Sequence, residues 1–169
     1  IGDHNYENVM AALAIAEAAG VPSDITIDVT KNFHAVEHRI EKVDTIDGVV
    51  YYNDSKGTNT DASIKAIKAM SRPTLLIAGG YDKNSPYDDF IESFDGKIKE
   101  LVLIGATAEK IKACALEHGF TNIKMADSLE EAVSICKADS ENGDAVLLSP
   151  ACASWDMFKS YEQRGRVFK

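Results

Sequence analysis

The sequence predicts an α/β fold, a Rossmann-like, doubly wound and mostly parallel sheet with helices on both faces. Three observations carry that expectation. After about residue 37, segments of helical spacing alternate with short strand-like runs. Two of those runs, Leu75-Leu76-Ile77 and Val146-Leu147-Leu148, are unbroken apolar stretches, as parallel strands covered on both faces require. Four strand ends carry polar clusters, and in such sheets ligands sit outside the carboxyl ends of the strands.

The elements follow in order. From Asn5 to Ala19, Val9, Ala12, Leu13, Ile15 and Ala16 recur at helical spacing, with Asp3 or Asn5 as a cap and Gly20 as a stop. A second helix is expected from Ser23 to Phe33, with Pro22 near its start. The period then changes, placing a domain boundary near Ala35. Arg39–Thr45 and Val49–Asn53 read as two strands joined by Asp47-Gly48, a strong hairpin signal. Next come helix Asp61–Met70, strand Thr74–Ala78, helix Tyr87–Phe94, strand Glu100–Ile104 and helix Ala108–Glu117. A short strand around Ile123, helix Ser128–Lys137 and strand Ala145–Leu148 complete the series.

A chain of 169 residues, 45% hydrophobic, can bury a core, which excludes disorder. Its formal charge of -9 disfavours a nucleic-acid or anionic-membrane surface, so an anionic ligand must meet local positive groups. Cys114, Cys136 and Cys152 are odd in number and lack CxxC spacing, which fits a reducing cytoplasm better than a disulfide framework or a zinc knuckle. No apolar run approaches the roughly 20 residues of a membrane span. The chain starts at Ile1, directly before a helix, and is expected to be a fragment of something longer.

The polar clusters are Asn53-Asp54-Ser55-Lys56-Gly57-Thr58-Asn59, Gly79-Gly80-Tyr81-Asp82-Lys83, Gly105-Ala106-Thr107 and Ser149-Pro150-Ala151-Cys152-Ala153-Ser154. In the first, Lys56 and Thr58 precede a helix whose free N–H groups favour an anion, and Asp54 offers an acceptor; a plain capped loop fits the same residues. In the second, Lys83 beside two glycines fits a charged binding turn and equally a turn with a solvated lysine. Ser149 and Ser154 lack a GxSxG elbow, and nothing in the sequence sets a base beside Cys152. His34 and His38 stand four apart, but no further His or Cys stands at ligand spacing from them; surface or hydrogen-bonding roles outweigh ligation for His4, His34, His38 and His118, and no metal site is expected. Neither GxGxxG nor GxxxxGK[ST] occurs, which counts against dinucleotide oxidoreduction and against unaided ATP chemistry.

The stretches HNYEN (residues 4–8), EHRIE (37–41), NDSKGTN (53–59), GGYDK (79–83), LLSPACASWDMF (147–158) and YEQRG (161–165) resemble, in this order, the Mur ligase family. NDSKGTN and SPACAS narrow the resemblance to its D-glutamate-adding branch. The resemblance implies residues 1–36 as the helical end of a central ATPase domain and 37–169 as a complete C-terminal domain. It implies an ATP-dependent amide-bond ligase in peptidoglycan synthesis, acting in the cytoplasm, monomeric, and needing no nucleic acid or membrane. The carboxylate of UDP-N-acetylmuramoyl-L-alanine is activated as an acyl phosphate, and the amine of D-glutamate attacks it.

Carried over by position, Asn5 and Asn8 resemble adenine contacts, Arg39 and Asp54 resemble contacts to ATP phosphates and ribose, and Lys56 is a further phosphate neighbour. Thr58 and Lys83 resemble the receivers of one D-glutamate carboxylate, and Ser154 and Tyr161 those of the other. The ligands of Mg2+ are expected in the central domain, outside this chain, and no catalytic residue is expected within it. Two positions depart from the pattern: Tyr161 stands where many relatives have Phe, and Gly57, often Ala, is expected to loosen its loop. The alternatives are a sister Mur or folylpolyglutamate-type ligase, or a non-enzymatic binding or regulatory module with Asp54 as a receiver-like phosphoacceptor. A receiver would be shorter and carry an acidic pair after its first strand.

Overall fold

The computed structural model describes residues 3–33 and 36–169, leaving aside the side chains of residues 3–5. The side chain of Asn5 and the boundary expected near Ala35 lie outside the described residues. Helices α1 (Asp3–Ala18) and α2 (Ser23–Asn32) contact each other and leave Tyr6, Met10, Ile15, Ile25, Ile27, Val29 and Phe33 exposed. A hairpin of β1 (Glu41–Ile46) and β2 (Val49–Asn53) follows. Its turn has Asp47 at φ 52° and Gly48 at φ 82°, the primed geometry that matches strand twist. Beyond it run α3 (Thr60–Ala69), β3 (Thr74–Gly79), α4 (Asp88–Glu92), β4 (Ile98–Ile104), α5 (Ala108–Glu117), β5 (Ile123–Met125), α6 (Leu129–Asp139), β6 (Ala145–Leu148) and α7 (Tyr161–Phe168).

Among the described residues, six strands form one sheet in the order β1-β2-β6-β3-β4-β5, antiparallel at β1 and parallel elsewhere. From β3 the chain steps outward to β5, then returns to insert β6 between β2 and β3. The period of two along each strand divides the core. Leu76, Ala78, Leu101, Leu103 and Leu147 face one side, against Ile67 of α3, Phe90 of α4 and Ile111 of α5. Leu75, Ile77, Val102, Ile104, Val146 and Leu148 face the other, against Leu129 and Ala132 of α6 and Phe168 of α7. Because the helix after β2 and the helix after β6 lie on opposite faces, the carboxyl ends of these neighbouring strands open a crevice, the topological switch point.

Three expectations need correction. The first strand begins at Glu41, two residues later than expected, because His38 (φ 65°) and Ile40 (φ 46°) take left-handed turns. In those turns the His38 N–H donates to Glu41 Oε2 at 2.9 Å and the Ile40 N–H to Asp54 Oδ1 at 3.1 Å. Helix α4 is five residues, not eight, ending in turns that include Asp95 at φ 40° and Gly96 at φ 70°. Helix α7 was not expected. Its apolar signal is weak, since its buried positions include Arg164 and Gly165, yet the local signal was present: Ser160 caps Gln163, and Gln163 Oε1 reaches back to the Lys159 N–H, a variant of the capping box.

Phe90 is fully buried and stacks edge to face on Phe94, with Phe120 next in line. Phe90→Ala is expected to cost about 3–5 kcal/mol of unfolding free energy, through lost transfer energy and an unfilled cavity. Urea denaturation followed by circular dichroism checks this; a change under about 1 kcal/mol would show that the layer collapses to fill the gap.

Candidate functional site

The rim at the switch point is built on buried polar groups. Asp54 follows β2 and Ser149 follows β6, and the Asp54 N–H extends the ladder by donating to the Leu148 carbonyl at 2.7 Å. Asp54 is 4% exposed, and both carboxylate oxygens are engaged: Oδ1 accepts from the Ile40 N–H, and Oδ2 from the Ser149 hydroxyl at 2.7 Å. Ser63 Oγ lies 2.8 Å from Ser149 Oγ and accepts from the Ala151 N–H at 2.9 Å. A hydroxyl has one proton, so the consistent direction is Ser63 to Ser149 to Asp54. Burial pushes the Asp54 carboxyl up to about 6, opposed by these hydrogen bonds and by Arg39 and Arg164.

Arg164, projecting from α7, is 1% exposed and ties three segments together. Its Nε donates to Ser55 Oγ at 3.0 Å, and Nη2 donates to the Ser55 carbonyl at 2.9 Å and the Cys152 carbonyl at 3.1 Å. Nη1 also meets the Cys152 carbonyl, at 3.2 Å. The Ser55 hydroxyl in turn donates to the Tyr161 carbonyl at 2.8 Å. Loss of solvation lowers the guanidinium to about 10, which leaves it charged at neutral pH.

Over this skeleton lies a cavity of about 160 Å³ lined by Arg39, Ile40, Asp54, Lys56, Gly57, Ala62 and Lys65. Three cations against one carboxylate make it locally positive in an acidic chain, which suits an anion of phosphate size. At the start of α3, Asn59 Oδ1 accepts from the Ala62 N–H at 2.9 Å, so the capped-loop reading holds there while the cations remain at the cavity. At Gly57 an added Cβ would come within 2.5 Å of Asp54 Oδ2 and 3.0 Å of Ser149 Oγ, so a side chain there requires the Asp54 carboxylate to shift.

A second cluster involves the loop after β3. Lys83 Nζ donates to the Thr58 carbonyl at 3.3 Å and lies 5.4 Å from the centre of the Trp155 ring. Trp155 is 65% exposed and packs on Tyr81, whose backbone pairs with Ala153, the residue before buried Ser154. Gly80, at φ 143°, permits this contact, because a side chain there would strike the Ala153 carbonyl oxygen. Lys56 Nζ sits 5.8 Å from the centre of the Tyr161 ring, at the head of α7.

The structure therefore brings Arg39, Asp54 and Lys56 to one cavity, Thr58 and Lys83 to one contact, and Tyr161 against Lys56. Asn8 is exposed on α1, and among the described residues no hydrogen bond links it to the rim. Sequence reasoning passed over Lys65, Ser63, Ser149, Trp155 and Arg164 as site residues. Arg164 had a signal: four residues before Phe168, it lies on the inward face of the helix.

Buried acceptors and exposed cations thus meet at the switch point of a doubly wound α/β sheet, the place where such folds take ligands. A family model described as the glutamate ligase domain of Mur ligases matches residues 38–152, and the chain belongs to that family. It is 60% identical over 169 residues, all of this chain, to a UDP-N-acetylmuramoylalanine--D-glutamate ligase of Lachnospira eligens, of which it covers 38%. The protein of the same name from Thermoanaerobacter sp. is 54% identical over 170 residues, 99% of this chain and 37% of that protein. The chain thus spans little more than a third of the curated relatives it matches.

Solved structures share the fold at low identity. A UDP-N-acetylmuramate-alanine ligase of Thermotoga maritima superposes with a TM-score of 0.74 at 15% identity, over 99% of this chain and 37% of that one. A folylpolyglutamate synthase of Mycobacterium tuberculosis, solved with ADP and AMPPCP, gives 0.67 at 15% identity, over 89% and 38%. Among the described residues, no helix is long and apolar enough to cross a membrane.

Two outcomes follow for the rim. Ser149→Ala removes a hydrogen bond to a buried carboxylate and is expected to cost about 1.5–3 kcal/mol in urea denaturation. The Asp54 pKa is raised on folding, so its contribution is whole below about pH 4 and is lost as pH rises through about 6. Stability measured from pH 4 to 7 should therefore fall less steeply with rising pH in Asp54→Asn than in the parent; equal slopes would place the titration elsewhere.

Proposed function

We propose that this chain is the C-terminal part of an ATP-dependent ligase that joins D-glutamate to UDP-N-acetylmuramoyl-L-alanine in cytoplasmic peptidoglycan synthesis. The observation that carries the reading is 60% identity across the whole chain to a ligase of that name. Residues 1–36 then close a preceding ATP-binding domain, and 37–169 form the domain that closes over it, within a monomer.

In this reading Arg39, Lys56 and Asp54 meet the nucleotide, the two cations at phosphate oxygens and the carboxylate at ribose, while Asn5 and Asn8 meet adenine. The two cations sit at the cavity with Lys65, which supports an anionic occupant. Thr58 and Lys83 receive one carboxylate of D-glutamate, and Ser154 with Tyr161 the other. The Lys83–Thr58 contact supports the first pair, since the ammonium is already at the spot where a carboxylate would take it over. The reaction forms a peptide bond from a carboxylate that resists nucleophiles until ATP converts it to an acyl phosphate. The chain's own residues then hold the amino-acid carboxylates so that the free amine faces that centre, a gain from orientation.

Mg2+ does not fit this rim. Asp54 is the one carboxylate lining the cavity, both its oxygens already accept from protein donors and it stands among three cations, so the rim lacks the set of oxygen ligands that a hard dication takes. The metal of the full reaction belongs with the portion that precedes this chain. For the same reason, and because the sequence carries no GxxxxGK[ST] cradle, the isolated chain is expected to show no ATP turnover.

Amide-resolved NMR titration with D-glutamate tests the amino-acid site: shifts are expected at Thr58, Lys83 and Ser154, weaker with L-glutamate. In the full-length enzyme, Lys83→Ala should raise the KM for D-glutamate by about 10-fold or more, matching loss of one charged hydrogen bond, with a smaller change for ATP. Equal losses for both substrates, or no D-glutamate effect, would remove Lys83 from that role.

A further inference from the structure

Away from the rim, helices α4 and α5 bring four potential metal ligands together. Asp88 and Glu92 stand one turn apart on α4, and Cys114 and His118 one turn apart at the end of α5. His118 Nε2 lies 3.1 Å from Asp88 Oδ1, and its Nδ1 lies 3.8 Å from Glu92 Oε1. Asp88, Cys114 and His118 each present a ligand atom within 4.8 Å of the other two. We propose that these three residues form a binding site for a borderline-soft divalent transition metal, Zn2+ above all, with Glu92 orienting the His118 ring.

The donor set carries the assignment. A tetrahedral ion with bonds of about 2.0–2.3 Å sets its ligand atoms about 3.3–3.8 Å apart, so the widest pair has to close by about 1 Å while the His118 Nε2–Asp88 Oδ1 pair, at 3.1 Å, opens slightly. A thiol and an imidazole select zinc-like ions and disfavour Mg2+ and Ca2+, which take oxygen. One imidazole nitrogen facing the ligand pocket while the other faces a carboxylate is how ligating histidines are held. Charge also closes: the Asp88 carboxylate and the Cys114 thiolate neutralise the dication, and His118 binds neutral. Burial and the carboxylates of Asp88 and Glu117 keep the free thiol protonated, so uptake breaks the S–H bond, forms the S–metal bond and releases one proton to solvent. The fourth position is open to water, since Asp88 and Glu92 are both well exposed.

The consequence is a tie between α4 and α5. Helix α4 follows the loop that carries Lys83, and Lys110 of α5 already holds Asp82 of that loop at 3.3 Å. A metal here fixes the far end of the same loop, independently of which substrate the rim takes.

Titration of the reduced chain with Co2+ in a non-chelating buffer tests the site. One equivalent should produce a thiolate-to-cobalt charge-transfer band and the intense visible absorption of a four-coordinate ion, both abolished by excess Zn2+. C114S and C114A should each lose the charge-transfer band with unchanged circular dichroism, H118Q should weaken binding by at least about 10-fold, and E92Q by about 10-fold. A charge-transfer band that persists in both Cys114 variants would assign it to Cys136 or Cys152 and overturn the proposal. So would the faint spectrum of octahedral cobalt, or affinity unchanged in H118Q.

Discussion

The buried guanidinium of Arg164 is the constraint on which the rim depends. Removing such a cation from water costs several kcal/mol, and only well-placed hydrogen bonds offset that. Here the fork of Arg164 reaches Ser55 and Cys152, one residue past Asp54 on the β2 side and three past Ser149 on the β6 side. Lysine could not replace it, because a single ammonium cannot span two carbonyls and a hydroxyl in fixed directions. The helix that supplies the arginine is in turn secured by the Ser55 hydroxyl at its first carbonyl. Two strand ends and one helix thus hold one another in register, and the Asp54 carboxylate inherits its position from that arrangement.

The division of labour at the rim is physical. Asn53, Ser55, Ser63, Ser149 and Arg164 are buried and partnered, so they have little freedom to rearrange. Arg39, Lys56, Lys65 and Lys83 are exposed, with Lys56 and Lys83 near aromatic faces and Lys83 also donating to the Thr58 carbonyl. A partnered acceptor network thus underlies exposed cations. That arrangement reconciles a net charge of -9 with an anion site, because the positive groups are gathered where the strands end.

Much of this was legible in the sequence. Alternating periods gave the sheet, and the Asp47-Gly48 turn and the unbroken apolar runs gave its edge and its centre. The strand-end clusters did converge in part, as Thr58 with Lys83 and Arg39 with Asp54 and Lys56 demonstrate. What escaped was set by long-range pairing. Asp54 and Ser149 are 95 residues apart, and Ser55 and Arg164 are 109 apart, so no local pattern reports their contact. Helix α7 escaped because its inward face carries an arginine and a glycine where periodicity looks for apolar residues. The early turns at His38 and Ile40 answer to carboxylates of Glu41 and Asp54, which a strand propensity does not register.

The α1–α2 pair has a colloidal consequence. Tyr6, Met10, Ile15, Ile25, Ile27, Val29 and Phe33 are exposed apolar side chains on a strongly acidic chain. In dilute buffer, mutual repulsion among like-charged molecules keeps those side chains apart. At about 0.15 M ionic strength the repulsion fades beyond roughly 8 Å, while the attraction between oily surfaces is undiminished. Added salt therefore weakens the repulsion that opposes contact between the exposed apolar side chains of different molecules.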